Sequence, residues 1–226
     1  MQCSVCEGKV FSSRSVLWPE LIAEWQLSEE EAAYIDRQQG ETCVACGANL
    51  RSIALANAIR SFLETDLCLG AAVELAEYAH VSLLEVNEAG NLTPYLKVFQ
   101  NYQFEKYPEV DIHNLPYGDG TFDLVVHSDT LEHVLNPVHA LIECRRVLRP
   151  GGAVCFTVPL IVGRMSRSRA GLKKSYHGNP QSTALDYMVQ TEFGADAWTF
   201  VLKAGFSEVT MYAVQFPAGL AFLARN

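Results

Sequence analysis

The stretch that most constrains this chain runs from Val110 to Pro159, where two apolar runs flank an amphipathic one. Phe122-Asp-Leu-Val-Val-His127 is almost continuously apolar, the pattern of a strand buried on both faces. Pro137 then opens a helix at its tolerated first-turn position, with Asn136 as the cap. Along it Val138, Leu141, Ile142, Cys144, Val147 and Leu148 recur mostly at three- and four-residue spacing and make one buried face. Arg149-Pro-Gly-Gly152 ends the helix, and Ala153-Val-Cys-Phe-Thr-Val158 is a second buried strand. Two such strands joined by a helix of this length lie parallel, with a right-handed crossover. The fold class that follows is α/β with a doubly wound sheet.

Other elements fit that frame. Val81-Ser-Leu-Leu-Glu-Val86 reads as the first sheet strand and Asn101–Tyr107 as the second, with a helix over Leu92–Phe99 between them. Arg51 to Leu63 is rich in helix formers with a continuous apolar face. Phe193 to Phe206 reads as a last long helix stopped by Gly205, before two closing strands over Val209–Val214 and Gly219–Ala224. Open α/β sheets bind ligands beyond the carboxyl ends of their strands, so the turn after Val86 is the place to look for a site. Glu105, twenty residues after Glu85, stands where an acid accepts hydrogen bonds from ribose hydroxyls; a surface glutamate is the alternative.

At 226 residues with a net charge of −9, the chain suits one sizeable domain plus a small appendage. The acidic balance argues against broad nucleic-acid binding, which neutralises phosphates. No apolar run reaches the length of a membrane span, and MQCSVCEGKV lacks a signal peptide's apolar core, so the expected location is cytoplasmic. Of seven cysteines, four form two CxxC pairs, Cys3/Cys6 and Cys43/Cys46. Each pair sets two thiolates on a tight turn, and two such turns complete a closed, structural zinc site. A redox pair or two unrelated turns are the alternatives. Residues 1–50 therefore read as a zinc-ribbon-like module, with a helix starting at the capping box Ser28-x-x-Glu31. Cys144 and Cys155 belong to the core pattern.

The residues go further than the pattern. LPYGDGTFDLVVHSDTLEHV followed by ECRRVLRPGG closely resembles the middle of the class I S-adenosylmethionine-dependent methyltransferases, type 11-like. The resemblance extends from about Val81 to the C-terminus. It implies a Rossmann-like sheet of seven strands, mostly parallel with the last antiparallel. The organisation it implies is a module over 1–50, a helical connector and cleft cover over 51–79, and a methyltransferase domain over 80–226 with a basic lid insertion at 160–182. In the family the turn after the first strand is an acid followed by closely spaced glycines. Here Glu85 and Gly90 match, but Asn87 and Ala89 stand where glycines are expected, and the loop is about one residue short. Glycines there permit positive φ and close approach of the backbone; asparagine tolerates left-handed geometry better than most residues. The resemblance also implies that Asp111 and Ile112 meet the adenine, that His127 and Ser128 contact the methionine part through the backbone, and that Glu132 and His133 form the family's LEH element.

Beyond Pro159 the stretch Arg164–Lys174 carries five positive charges, which in a lid would favour an anionic acceptor; a solvated loop is the bland alternative. His177 and His133 are the candidate proton acceptors. The expected function is methyl transfer from S-adenosyl-L-methionine to a small-molecule or glycan acceptor, with Zn²⁺ structural. Two rivals remain: a non-catalytic scaffold whose altered loop no longer holds cofactor, and a nicotinamide-dependent oxidoreductase. The second is disfavoured because the loop lacks GxGxxG.

Overall fold

A computed structural model of the chain describes residues 1–176 and 185–226. In chain order the elements are β1 (Phe11–Ser13), α1 (Pro19–Glu24), α2 (Glu29–Gly40), β2 (Glu41–Cys43), α3 (Leu50–Phe62), α4 (Leu69–Ala72), β3 (Ser82–Val86), α5 (Thr93–Leu96), β4 (Asn101–Glu105), β5 (Phe122–Ser128), α6 (Pro137–Val147), β6 (Leu148–Thr157), β7 (Leu160–Ile161), β8 (Arg167–Ser168), β9 (Thr191–Gly194), α7 (Trp198–Lys203), β10 (Glu208–Val214) and β11 (Gly219–Arg225).

The main sheet has the order β10-β11-β6-β5-β3-β4. Strands β4, β3, β5 and β6 are parallel, and β11 is antiparallel to both of its neighbours. It has six strands where the family resemblance implied seven. The gap lies between β4 and β5, where YPEVDIHNLPYGDGT carries two prolines and two glycines. Proline cannot donate to a ladder, and such a run favours turns over a strand. It nonetheless contributes Ile112 and Leu115 to the core, and β4 is left as the sheet edge.

The apolar runs that predicted two-sided burial do bury on both faces. Leu83, Leu124 and Val126 face a cluster with Ile53, Leu55 and Ile59 of α3. Leu84, Val125 and Val154 face another with Leu141, Cys144 and Val147 of α6 and Val201 of α7. Asn136 caps α6 by accepting from the His139 amide at 3.1 Å. Both arms of the Ser28/Glu31 capping box form, at 2.8 and 3.1 Å.

Three expected elements differ. The helix after β3 is one turn of α5 behind a 3₁₀ turn at Gly90–Leu92. The long helix expected over Phe193–Phe206 is strand β9 followed by the six-residue α7. Strand β9 joins β7 and β8 in a small separate sheet, so residues 160–168 of the expected lid carry two short strands.

That region clamps the N-terminal helices. Arg164 reaches both Glu31 carboxylate oxygens at 2.7 Å and the carbonyls of Trp25 and Gln26 at 2.9 and 2.7 Å. Arg167 and Arg169 both pair with the buried Glu192. Three of the five charges expected to make a basic lid are thus paired with glutamates, Arg167 from a half-exposed position.

Candidate active site

The chain leaves β3 towards β4 on one side and returns to β5 on the other, so β3 and β5 are neighbours at a topological switch point. Their carboxyl ends open the crevice in which folds of this class bind ligands. Glu85, one residue from the end of β3, is fully buried. Its carboxylate accepts from the Ala89 amide at 2.7 Å, Thr93 Oγ1 at 2.5 Å and the Tyr102 hydroxyl at 2.6 Å. Three donors offset the cost of a buried carboxylate, and their convergence folds the 86–93 turn around it. Glu85 therefore shapes the loop from beneath. Burial, and then this bond, push the Tyr102 hydroxyl far above the usual phenol range.

Within the loop Asn87 has φ +57° and Gly90 φ +57°. Asparagine thus adopts the left-handed conformation expected of the glycine it replaces. At Gly90 a Cβ would stand 2.8 Å from Ser52 Oγ, so this glycine lets the first turn of α3 close over the loop. The Asn87 side chain crosses the crevice. Its Nδ2 donates to Thr130 Oγ1 beyond β5 at 3.2 Å, and its Oδ1 accepts from the Tyr107 amide beyond β4 at 3.0 Å. Glu105, at the end of β4, accepts a short hydrogen bond from the Tyr117 hydroxyl.

The remaining predicted residues are spread more widely. Asp111 is paired with the amide and ring of His113 at 2.9 and 2.8 Å, and Ile112 is buried. His127 is fully buried, its ring stacked on Phe156, and neither ring nitrogen has a hydrogen-bond partner among the described residues. Burial pushes its pKa down to about 3, so the ring is neutral, and only its backbone belongs to the crevice side. Ser128 exchanges a 2.7 Å bond with Thr157. His133 Nδ1 lies 3.2 Å from the Met188 carbonyl, with Nε2 3.6 Å from Glu132. His177 lies outside the described residues.

A polar group that sequence reasoning missed is Asp129, which follows β5 with φ +51°. Its Oδ1 is 2.8 Å from Arg51 Nη1, and its Oδ2 accepts from Gln39 at 3.4 Å. Arg51 is 3% exposed, and neither its Nε nor its Nη1 has a hydrogen-bond partner among the described residues, the Asp129 contact being an ion pair. Burial, and then the Asp129 charge, raise the carboxyl of nearby Glu132 well above the usual range. Arg51 also lines a cavity of about 360 Å³ between the N-terminal helices and residues 159–161. The signal for Asp129 was its position, a charged residue immediately past a buried strand's carboxyl end.

The four cysteines of the CxxC pairs converge, with all Sγ atoms within 4.8 Å of one another. Cross-pair distances Cys3–Cys46 and Cys6–Cys43 are each 3.7 Å. The two turns have the same construction. Glu7 and Gly47 follow the second cysteine of each pair at φ +63° and +74°. Their amides donate to the Cys3 and Cys43 carbonyls at 2.8 Å. Gly8 is required by space, since a Cβ there would lie 2.6 Å from Cys43 Sγ. Burial pushes Cys3 up to about 11 and raises Cys46 as well.

A family model described as a methyltransferase domain matches residues 42–156. An uncharacterized methyltransferase of Schizosaccharomyces pombe is 50% identical over 44 residues, 20% of this chain and 16% of that protein. A protein of Mycolicibacterium smegmatis named as a probable S-adenosylmethionine-dependent methyltransferase is 39% identical over 59 residues, 24% of this chain and 23% of the relative. The similarity to these curated relatives thus spans less than a quarter of their own length. Among solved structures, a SAM-dependent methyltransferase from Thermotoga maritima superposes with a TM-score of 0.44 at 14% identity, covering 78% of this chain and 89% of that one. The family model takes in β3, β4, β5 and most of β6, half of the chain, and the chain belongs to the methyltransferase-domain family.

Proposed function

We propose that the chain is an S-adenosylmethionine-dependent methyltransferase acting on a small-molecule acceptor, with a structural zinc ion held by Cys3, Cys6, Cys43 and Cys46. One observation carries the cofactor reading: the altered loop keeps the backbone form of a glycine loop, with Asn87 left-handed and Glu85 drawing the turn together from below. The Asn87 backbone, Gly90 and the Glu105 carboxylate are the groups that would hold the cofactor's sugar and amino-acid parts. Asp111 and Ile112 would meet the base, and His127 and Ser128 would act through the backbone. When bound, the cofactor supplies an electrophilic methyl group. The protein's task is to orient the acceptor and exclude water.

For zinc, the supporting fit is geometric. Tetrahedral thiolates about 2.3 Å from the metal lie about 3.8 Å apart, and the cross-pair distances are 3.7 Å. Cys3 and Cys46 are raised by burial, whereas at Cys43 burial is outweighed by backbone and side-chain hydrogen bonds, which leave it lowered. A divalent cation would balance the charge of the thiolates together. Four sulfurs leave no position for substrate, so the role is structural.

A non-catalytic binding protein is a second reading, favoured by the Asn87 side chain lying across the crevice. Thermal unfolding of zinc-loaded protein separates the two. S-adenosylhomocysteine at a hundred times its dissociation constant stabilises by about 2.7 kcal/mol, a rise of roughly 5–10 °C in a domain of this size. A rise with both sulfur cofactors supports the enzyme. No rise with either sinks it, and a rise with NADH alone would favour an oxidoreductase.

A further inference from the structure

The cavity between the N-terminal helices and residues 159–161 has walls that say what fits it. Trp18, Leu21, Trp25, Ile35, Leu160 and Ile161 give it an apolar lining with two indoles. Trp25 is fixed by its indole N–H, which donates to Ser175 Oγ at 2.8 Å, and Arg169 lies over its ring 5.4 Å from the centroid. The polar side chains on its lining are the buried Arg51 and Gln38, with Gln39, Arg14 and Ser15 exposed. Beside Arg51 and Gln39 stands Asp129, ion-paired with the first and accepting a hydrogen bond from the second. The next residue, Thr130, receives the Asn87 bond in the cofactor crevice, so the Arg51 side of the cavity adjoins that crevice.

We infer that this cavity is the methyl-acceptor site, and that it takes a flat aromatic molecule bearing a hydroxyl group directed at Arg51, the ion-pair partner of Asp129. The inference rests on the methyltransferase reading for the reaction, though not for the binding. Size sets the first limit: a cavity of about 150 Å³ holds benzene, so 360 Å³ accommodates about two fused rings. Chemistry sets the second. An apolar lining with a few convergent polar groups suits an aromatic body with one polar end and not a glycan, whose many hydroxyls would lose their hydrogen bonds to water. Charge sets the third. Arg51 is already matched by Asp129 and the arginines of the 160s by glutamates, which leaves the exposed Arg14 as a single cation on the lining and no cation cluster to call for a phosphorylated acceptor. On methylation an oxygen–carbon bond replaces the carbon–sulfur bond of the donor, whose sulfur keeps the electron pair. The hydroxyl proton passes to the Asp129 carboxylate, with Arg51 steadying the negative charge on oxygen.

The test is calorimetric titration of zinc-loaded, S-adenosylhomocysteine-saturated protein with 2-naphthol, and with naphthalene as the probe lacking the hydroxyl. The expected result is saturable 2-naphthol binding, weaker binding of naphthalene, and a loss of about tenfold or more in 2-naphthol affinity in Ile35→Trp, which fills the cavity. Leu21→Phe is a milder filling variant should the tryptophan disturb folding, and an unchanged melting shift with S-adenosylhomocysteine certifies either. Equal affinity in the wild type and a certified filling variant overturns the site. No 2-naphthol binding in protein that responds to S-adenosylhomocysteine overturns the inference and leaves the methyltransferase reading standing. Binding of 2-naphthol to protein that ignores both sulfur cofactors leaves the cavity's ligand class standing and sinks the reaction.

Discussion

Asn87 shows how one residue can keep a loop's backbone and change its contents. Left-handed φ costs an ordinary L-residue about 1–2 kcal/mol, and asparagine less because its short amide can bond locally. Here the amide spans from the Thr130 hydroxyl to the Tyr107 N–H, so it ties together the segments that follow three adjacent strands. A ligand entering between them has to displace those bonds. Replacing Asn87 with glycine removes the obstruction and retains the φ. We expect free Asn87→Gly protein to be destabilised by no more than about 1 kcal/mol, the worth of the lost hydrogen bonds less the relieved strain. Its affinity for S-adenosylhomocysteine should rise by about tenfold, read by calorimetry against wild type. Weaker binding in the variant would mean that the asparagine is a ligand-holding group and not a strap. The acid at 85 and the substitution at 87 were legible in the sequence. The reach of the amide was not, because its partners lie 20 and 43 positions away along the chain.

At the scale of elements, the docking of α2 against the segment after β7 rests on the Glu31–Arg164 pair together with Tyr34, whose hydroxyl accepts from the Val162 amide at 3.1 Å. The Arg164 guanidinium holds the Glu31 carboxyl down at about 2, from an ordinary 4.5. A carboxylate whose pKa falls on folding contributes stability that is complete above its unfolded value and is lost as pH falls through its folded one. The difference in unfolding free energy between wild type and Glu31→Gln should therefore be constant above about pH 5 and shrink between about pH 4.5 and 2. Its plateau should be about 1 kcal/mol for a partly exposed two-point pair. Urea unfolding at pH 7, 4 and 3 checks this; a difference that does not change over that range would show that the pair carries no linkage. The same region marks where sequence reading stopped. The strands at 122 and 153, α6 and the capping box were legible because their signals are local: two-sided burial, 3.6-residue spacing, and a cap with its reciprocal acid. The end of strand β9, Phe193 and Gly194, was read as the start of a helix because its partners, β7 and β8, are two-residue strands with no pattern of their own. Gly194 carried a hint, since a Cβ there would lie 2.1 Å from the Arg164 carbonyl. That is a demand for close backbone approach, which a helix-period reading cannot see.

In the whole molecule, the four-cysteine cluster and the candidate active site are joined by one short path. Cys46 is followed by Gly47, then by Ala48, fully buried, and by Asn49, whose side chain caps α3 by accepting from the Ser52 amide at 2.8 Å. The first turn of α3 carries Arg51, paired with Asp129, and Ser52, against which Gly90 and the Asn91 amide of the cofactor loop are packed. Gly47 itself approaches the Asn91 side chain, since a Cβ there would be 3.6 Å from Nδ2. On the other side of the cluster, the Ser4 and Val5 carbonyls accept from the Leu69 and Gly70 amides, fastening the N-terminus to α4. If zinc holds the cluster, removing it frees a segment that both caps α3 and backs the cofactor loop. Structural zinc sites supply folding free energy of about 10 kcal/mol or more in small modules, of which a module packed on a larger domain forfeits only part. Chelator-treated protein should thus melt at least ~5 °C lower and bind S-adenosylhomocysteine more weakly, both effects reversing when zinc is restored. Cys43→Ser should reproduce them without reversal. The buried α6 face belongs to the core cluster on the other side of the sheet from α3, so the far side of the sheet should keep its amide protection from hydrogen exchange while α3 loses it. Uniform loss of protection across both faces would show instead that the cluster holds the whole fold and is not a local support of the site.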